Sequence, residues 1–327
     1  MEWFLILAGF ILLLLGGESL VKGAVAMAKK MQLPPLVIGI VLVGFGTSIP
    51  ELVTCITAAL QGSSNLAFGN VVGSNTANIL LVAGTGALMV PIMTPLAEFK
   101  RDGSFVAIST VLLVAAALFL GSVGFMLGAA FVALLLGYIA YMYLAEKRKY
   151  QATGSADILE ELEEIQTFLN RPITLPIATM LTVAGIATTI LGAKLLVMGA
   201  IALAEKAGVS ETVIGLTIVA IGTSLPELAT AIIAGLRNHS DLSLGNILGS
   251  NIYNILGVLG VTAMVSPMPV PSEIMTFDLW VMVLATLVLT LFALTRMKIS
   301  RLEGGLMLSG YFIYLYLLYL STLPTAA

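Results

Sequence analysis

Long apolar stretches alternate with short polar breaks along almost the whole chain. Ten stretches stand out, at 3–28, 34–60, 66–90, 104–121, 123–145, 173–204, 209–236, 242–267, 276–295 and 305–323. A run of about 20 apolar residues spans a hydrocarbon core about 30 Å thick, so the pattern predicts ten transmembrane helices. One segment breaks the rule. Between Asp157 and Asn170, Ile158, Leu162, Ile165 and Leu169 recur at helical spacing, with Glu160, Glu161, Glu163 and Glu164 on the other faces and Asp157 as N-cap. It predicts a short amphipathic helix in a cytoplasmic linker, 146–172, between membrane units at 1–145 and 173–327.

Composition agrees with the pattern. Of 327 residues, 59% are hydrophobic and 10% charged, against about 25% charged in soluble domains. The mean hydropathy is +1.06. A soluble enzyme is excluded, and without a basic stripe so is nucleic-acid binding. Start Met1-Glu2-Trp3 lacks a basic n-region and a cleavage site, so it reads as a first membrane helix rather than a signal peptide. The only cysteine, Cys55, lies in an apolar run and reads as a small buried residue.

The few charges carry orientation. With the N-terminus outside, Lys29, Lys30, Lys100, Arg101, Lys147, Arg148, Lys149, Arg171, Arg237, Arg296, Lys298 and Arg301 fall in cytoplasmic loops, and only Lys206 falls outside. Positive charge collects on the cytoplasmic side, so a multi-pass protein of the cell membrane with both termini outside is expected. Glu18 and Lys22, one turn apart in the first run, read as a structural ion pair, and His239 as a loop residue beside Arg237 and Asp241.

Self-comparison changes the picture most. GIVLVGFGTSIPELVTCITAALQGSSNLAFGNVVGSNTANIL from Gly39 aligns without a gap on GLTIVAIGTSLPELATAIIAGLRNHSDLSLGNILGSNIYNIL from Gly215. Glu51 and Glu227, Ser74 and Ser250, and Asn78 and Asn254 are each 176 residues apart. Each half then holds five crossings. An odd number forces the copies into opposite orientations, the inverted-repeat plan of secondary transporters, with a site near the midplane. The expected fold class is an all-α membrane protein of ten helices in two inverted five-helix repeats.

The repeated residues are those that hold hard cations. Pro50 and Pro226 cannot pair with the carbonyls of Gly46 and Gly222, so both helices should break in mid-membrane. Thr47 and Glu51, and Thr223 and Glu227, are four apart and share a face. A carboxylate at the centre of a span costs about 2.5–3.5 kcal/mol, so two call for bound cations or protons. Ser74 with Asn78, and Ser250 with Asn254, add neutral oxygens one turn apart. Carboxylates, hydroxyls, amides and carbonyls without thiolate or intramembrane histidine favour Ca²⁺ over zinc or copper, and Ca²⁺ over the stricter Mg²⁺. Two glutamates balance one Ca²⁺ or two Na⁺, which is the physical basis of exchange at one site.

The motifs GTSIPE and GTSLPE, followed by GNVVGSNTAN and GNILGSNIYN, resemble the α-repeats of the sodium/calcium exchanger family within the Ca²⁺/cation antiporters. The resemblance implies an antiporter rather than an enzyme, with Ca²⁺ and Na⁺ as substrates and no cofactor. It also implies a mobile pair formed by the first and sixth helices. The implied ion ligands are Glu51, Glu227, Thr47, Ser48, Thr223, Ser224, Ser74, Ser250, Asn78 and Asn254, with the carbonyls of Gly44 and Ala220. Asn254, where some relatives carry Asp, argues against K⁺ dependence, and the short linker leaves no room for a calcium-sensing domain. A Ca²⁺/H⁺ antiporter of the same architecture is the alternative reading, with Glu51 and Glu227 carrying the protons.

Overall fold

The computed structural model describes residues 2–31, 33–62, 64–153, 174–206 and 220–322. The linker helix expected at 157–170 and the first part of the run at 209–236 lie outside the described residues. The helices are α1 (Glu2–Met31), the bent pair α2 (Leu36–Thr47) and α3 (Ile49–Leu60), α4 (Ser64–Met89), α5 (Leu96–Leu120) and α6 (Phe125–Thr153). They continue as α7 (Leu175–Lys206), α8 (Ala220–Thr223), α9 (Leu225–Leu236), α10 (Ser240–Val265), α11 (Ile274–Arg296) and α12 (Arg301–Thr322). Among the described residues, seven helices are long and apolar enough to cross a membrane, and the bent pair α2–α3 makes an eighth.

Several boundaries differ from the apolar pattern. Helix α5 starts at Leu96 rather than 104, because its polar first turns are folded in: Asp102 is fully buried, bonded to Arg101 at 2.6 Å and to the Tyr138 hydroxyl at 2.9 Å. Helix α6 runs on to Thr153, past the end of its apolar run. Four two-residue strands were not expected in an all-α fold. They form two antiparallel clips, Ile92–Met93 with Lys298–Ile299 and Ser122–Val123 with Met268–Pro269.

Helices α4 and α10 are the centre of the fold. About four fifths of their apolar windows are buried (78% and 83%), against 28–39% for α1, α5, α6, α7 and α11. Polar residues in a span cost free energy when they face lipid, so the helices carrying the Ser and Asn motifs take the interior. The surrounding helices expose Trp3, Phe119, Met126 and Leu302 on an apolar outer surface.

Helices α1 and α7 pack antiparallel at very close range. A Cβ added to Gly16 would lie 2.6 Å from the Thr189 backbone nitrogen, and one on Gly192 would lie 2.7 Å from that of Leu13. Small residues let helix backbones meet where lipid provides no hydrophobic drive for association. These contacts are reciprocal. Gly9 meets Leu196 as Gly185 meets Leu20, and Ile92 pairs with Ile299 as Met268 pairs with Val123. In each case one residue has moved forward by 176 and the other back by 176.

Candidate ion-binding site

Each proline motif breaks its helix as the sequence requires. Proline has no N–H to give to the preceding turn, so the chain must turn before it. At Ser48 (φ −85°, ψ 3°) α2 ends, and α3 departs at 40°. Ser224 (φ −89°, ψ 4°) plays the same part between α8 and α9. The breaks differ in one bond. The Ser48 N–H reaches back to Gly44 O at 3.2 Å, whereas the Ser224 N–H takes Ile221 O at 3.1 Å, one residue nearer than Ala220. Gly46 and Gly222 both lie against α7, under Ile186 and Val197, where any larger residue would collide.

Both glutamates are fully buried, one at each break. None of their four carboxylate oxygens has a hydrogen-bond partner among the described residues. The same holds for the hydroxyls of Ser48 and Ser224 and for the side-chain amides of Asn78 and Asn254, all buried. Buried polar atoms normally find partners, and an unpaired one costs about 1–3 kcal/mol, more when charged. The orphaned atoms include three pairs of equivalent residues from the two halves, a set of oxygens and amides whose chemistry suits a hard cation.

The remaining expected side-chain ligands are buried or half-buried. Ser74 and Ser250 are buried on α4 and α10. The Thr47 hydroxyl is 3.0 Å from Val43 O, 3.4 Å from Gly44 O and 3.4 Å from Ser250 Oγ, so residues 203 apart in sequence meet. Thr223, its counterpart, is half-buried. Asn78 opens a π-helical stretch, Asn78–Ala83, and Asn254 falls in another, Tyr253–Leu259. The wider turn shifts the helical register at these asparagines, and π-bulges recur at functional sites.

Three features escaped the sequence reading. Asn246 is fully buried and accepts from the Thr47 hydroxyl at 3.2 Å while its amide donates to Glu227 O at 3.3 Å. Asn75 and Asn251 are buried, each amide bonded to the carbonyl four residues back and each side-chain oxygen unpaired. Tyr138 donates to Asp102 at 2.9 Å and Tyr314 to Asp278 at 2.8 Å, the same pin in both halves. All are visible in the 176-residue offset, but only when self-comparison extends beyond the glutamate motifs and asks which matched polar residues meet.

The family model described as "Sodium/calcium exchanger protein" matches residues 1–144 and 177–320. The chain belongs to the sodium/calcium exchanger protein family. Among curated proteins, it is 39% identical to the putative antiporter CaxA of Alkalimonas amylolytica, over 86% of each chain. It is 32% identical to the sodium/calcium exchanger MaX1 of Methanosarcina acetivorans, over 88% of this chain and 89% of that one. Among solved structures, the sodium-calcium exchanger NCX_Mj soaked with Na⁺ and Sr²⁺ superposes with a TM-score of 0.81 at 28% identity, covering 96% of this chain and 97% of that one. This exchanger-family chain is therefore a multi-pass membrane protein of a cation-transporting, non-enzymatic family.

Proposed function

We propose that this protein exchanges Ca²⁺ for Na⁺ across the cell membrane by alternating access at a midplane site built on Glu51 and Glu227. The observation that carries the proposal is the set of four unpartnered carboxylate oxygens, fully buried and flanked by unpartnered serines and asparagines. Two carboxylates in mid-membrane would cost roughly 5–7 kcal/mol without neutralising charge. One Ca²⁺ or two Na⁺ supplies that charge, and the oxygen-rich shell suits the flexible six to eight contacts of Ca²⁺. The ions are substrates: Thr47, Ser48, Ser74 and Asn78 from one half, with Thr223, Ser224, Ser250 and Asn254 from the other, complete the shell around the glutamates. The carbonyls of Gly44 and Ala220 extend it at the two breaks.

The architecture of the proposal is ten crossings in two inverted halves, with both termini outside. Two observations support it. Contacts of α1 with α7 exchange partners under the 176-residue shift, and the strand pairing of one clip maps onto that of the other, which is what a two-fold axis between antiparallel copies produces. Each clip also joins loops that the distribution of basic residues puts on one side of the membrane. Moving the bare site through the bilayer is too costly, so only the ion-filled forms switch sides, and exchange is obligatory. A third Na⁺ per cycle would make it electrogenic, and an inward Na⁺ gradient would drive Ca²⁺ export.

The test is ⁴⁵Ca²⁺ uptake into proteoliposomes loaded with Na⁺ or with K⁺ at the same clamped pH. Uptake that requires internal Na⁺ is expected. Uptake driven by a pH gradient and indifferent to Na⁺ would replace the proposal with Ca²⁺/H⁺ exchange.

A further inference from the structure

Helices α2 and α10 run side by side with their backbones in contact. A Cβ added to Gly44 would lie 3.0 Å from the Ser250 nitrogen, and one on Gly249 would lie 2.9 Å from Ile40 Cα. A buried side chain, Tyr253, bridges the two helices at this contact. Helical side chains lean toward the N-terminus, so Tyr253 reaches back along α2: its hydroxyl donates to Val41 O at 3.2 Å, and its ring centre lies 5.5 Å from that of Phe45. Gly44 falls between those two contacts, and Ser48, where the helix breaks, is one turn further on.

This segment of α2 needs holding. Gly39–Gly44 is a π-helical stretch, a rare geometry beside the α-helix, and a return to α-helical register would turn its carbonyls. A cavity of about 260 Å³ lies between Val41, Phe45 and Ser48 on one side and Val132, Leu135 and Ile139 of α6 on the other, so α6 leaves that face of the break loosely packed. Tyr253 also opens the π-helical stretch Tyr253–Leu259, which contains Asn254. One residue thus ties together the two irregular stretches that carry Gly44 and Asn254.

The other half lacks this side chain. The 176-residue offset pairs Tyr253 with Ala77 and Phe45 with Ile221, which supply neither a hydroxyl nor a ring. The breaks differ accordingly: the Ser48 N–H keeps the four-residue bond to Gly44 O, at 3.2 Å, whereas the Ser224 N–H takes Ile221 O at 3.1 Å. We propose that Tyr253 is a positioning residue of the ion site: with its hydroxyl on Val41 and its ring on Phe45, it sets where the Gly44 carbonyl points and makes the first break the firmer of the two. Its effect on transport rests on the exchanger reading, whereas the positioning itself rests on these contacts.

Hydrogen exchange in nanodiscs reads the positioning without transport, and ⁴⁵Ca²⁺ uptake into Na⁺-loaded proteoliposomes reads its effect. Tyr253→Phe keeps the ring and removes the hydroxyl. Losing one hydrogen bond of this kind shifts an equilibrium about two- to tenfold. The variant should speed amide exchange at 45–48 by that factor and leave 221–224 as in wild type. It should also raise the Ca²⁺ half-saturation by about two- to tenfold at an unchanged maximal rate. Tyr316→Phe, on an exposed ring of α12, should match wild type in every measurement. The proposal is overturned if Tyr253→Phe leaves exchange at 45–48 unchanged, if it speeds both segments alike, as a general loosening would, or if the half-saturation stays at the wild-type value. A fall in maximal rate that accounts for the whole loss of uptake would overturn it too. A wild type that exchanges no Na⁺ for Ca²⁺ would count against the exchanger reading alone, and the hydrogen-exchange result would still decide the positioning role.

Discussion

Replacing Glu51 by Gln keeps the size of the side chain, removes one charge and turns one acceptor oxygen into an amide donor. In the proposed site, two carboxylates balance one Ca²⁺. In Glu51→Gln, bound Ca²⁺ leaves one positive charge unbalanced where Glu51 is fully buried and no basic side chain bonds it. An unbalanced charge at the membrane centre costs about 2.5–3.5 kcal/mol, and each 1.4 kcal/mol is tenfold in affinity, so Ca²⁺ binding should weaken by about a hundredfold. Glu227→Gln should lose a similar factor, because the two residues stand at equivalent positions with no partner on either carboxylate among the described residues. A single Na⁺ against one remaining carboxylate is balanced, so one-ion Na⁺ binding should fall far less than Ca²⁺ binding. Calorimetric titration of the purified protein in detergent measures both. Ca²⁺ affinity within threefold of wild type in either variant would refute the charge-balance argument, and an equal loss for Na⁺ and Ca²⁺ would point to misfolding instead.

Other consequences follow from contacts elsewhere. Tyr138→Phe removes a hydrogen bond to fully buried Asp102 and should cost about 1.5–3 kcal/mol, read as a lower unfolding temperature; Tyr314→Phe, whose partner Asp278 is half-exposed, should cost less. Gly16→Leu pushes α1 off α7 at a point where even a Cβ would lie 2.6 Å from a backbone nitrogen, so it should destabilise by about 1–3 kcal/mol or more, whereas Gly310→Leu, with open space around its Cα, should melt as wild type does. Glu18 bonds Arg237 at 3.0 Å and Lys22 at 2.9 Å, linking α1 to the end of α9. Because Arg237 is half-exposed, Glu18→Gln should change stability by no more than about 1 kcal/mol, and the change should fade at high salt.

What could be read in the sequence followed from locality. Apolar runs set the helices, because lipid demands a satisfied backbone within each segment. Proline four residues after glycine set the breaks at Ser48 and Ser224, and the unpaired glutamates marked themselves by cost alone. What stayed hidden depended on partners far along the chain. Glu18 and Lys22 were readable as one turn apart, but Arg237, 219 residues from Glu18, was not. Asn246 is one letter of a repeated motif in the sequence, and its contact with Thr47, 199 residues away, shows only in the fold. The polar start of α5 looked like a loop because nothing nearby in sequence could bury Asp102; Tyr138 on the next helix does. The strand clips, two residues long, are set by loops meeting across the two halves and leave no periodic trace.

The central claim is that Glu51 and Glu227 together hold the transported cation. Strontium gives a Ca²⁺-like ion with anomalous scattering, so crystals of the protein soaked in Sr²⁺ without Na⁺ locate it directly. The expected result is an anomalous peak between the two glutamates, in contact with a carboxylate oxygen of each, that vanishes when Na⁺ replaces Sr²⁺. A fully occupied peak elsewhere, with no density at Glu51 and Glu227, would contradict the account.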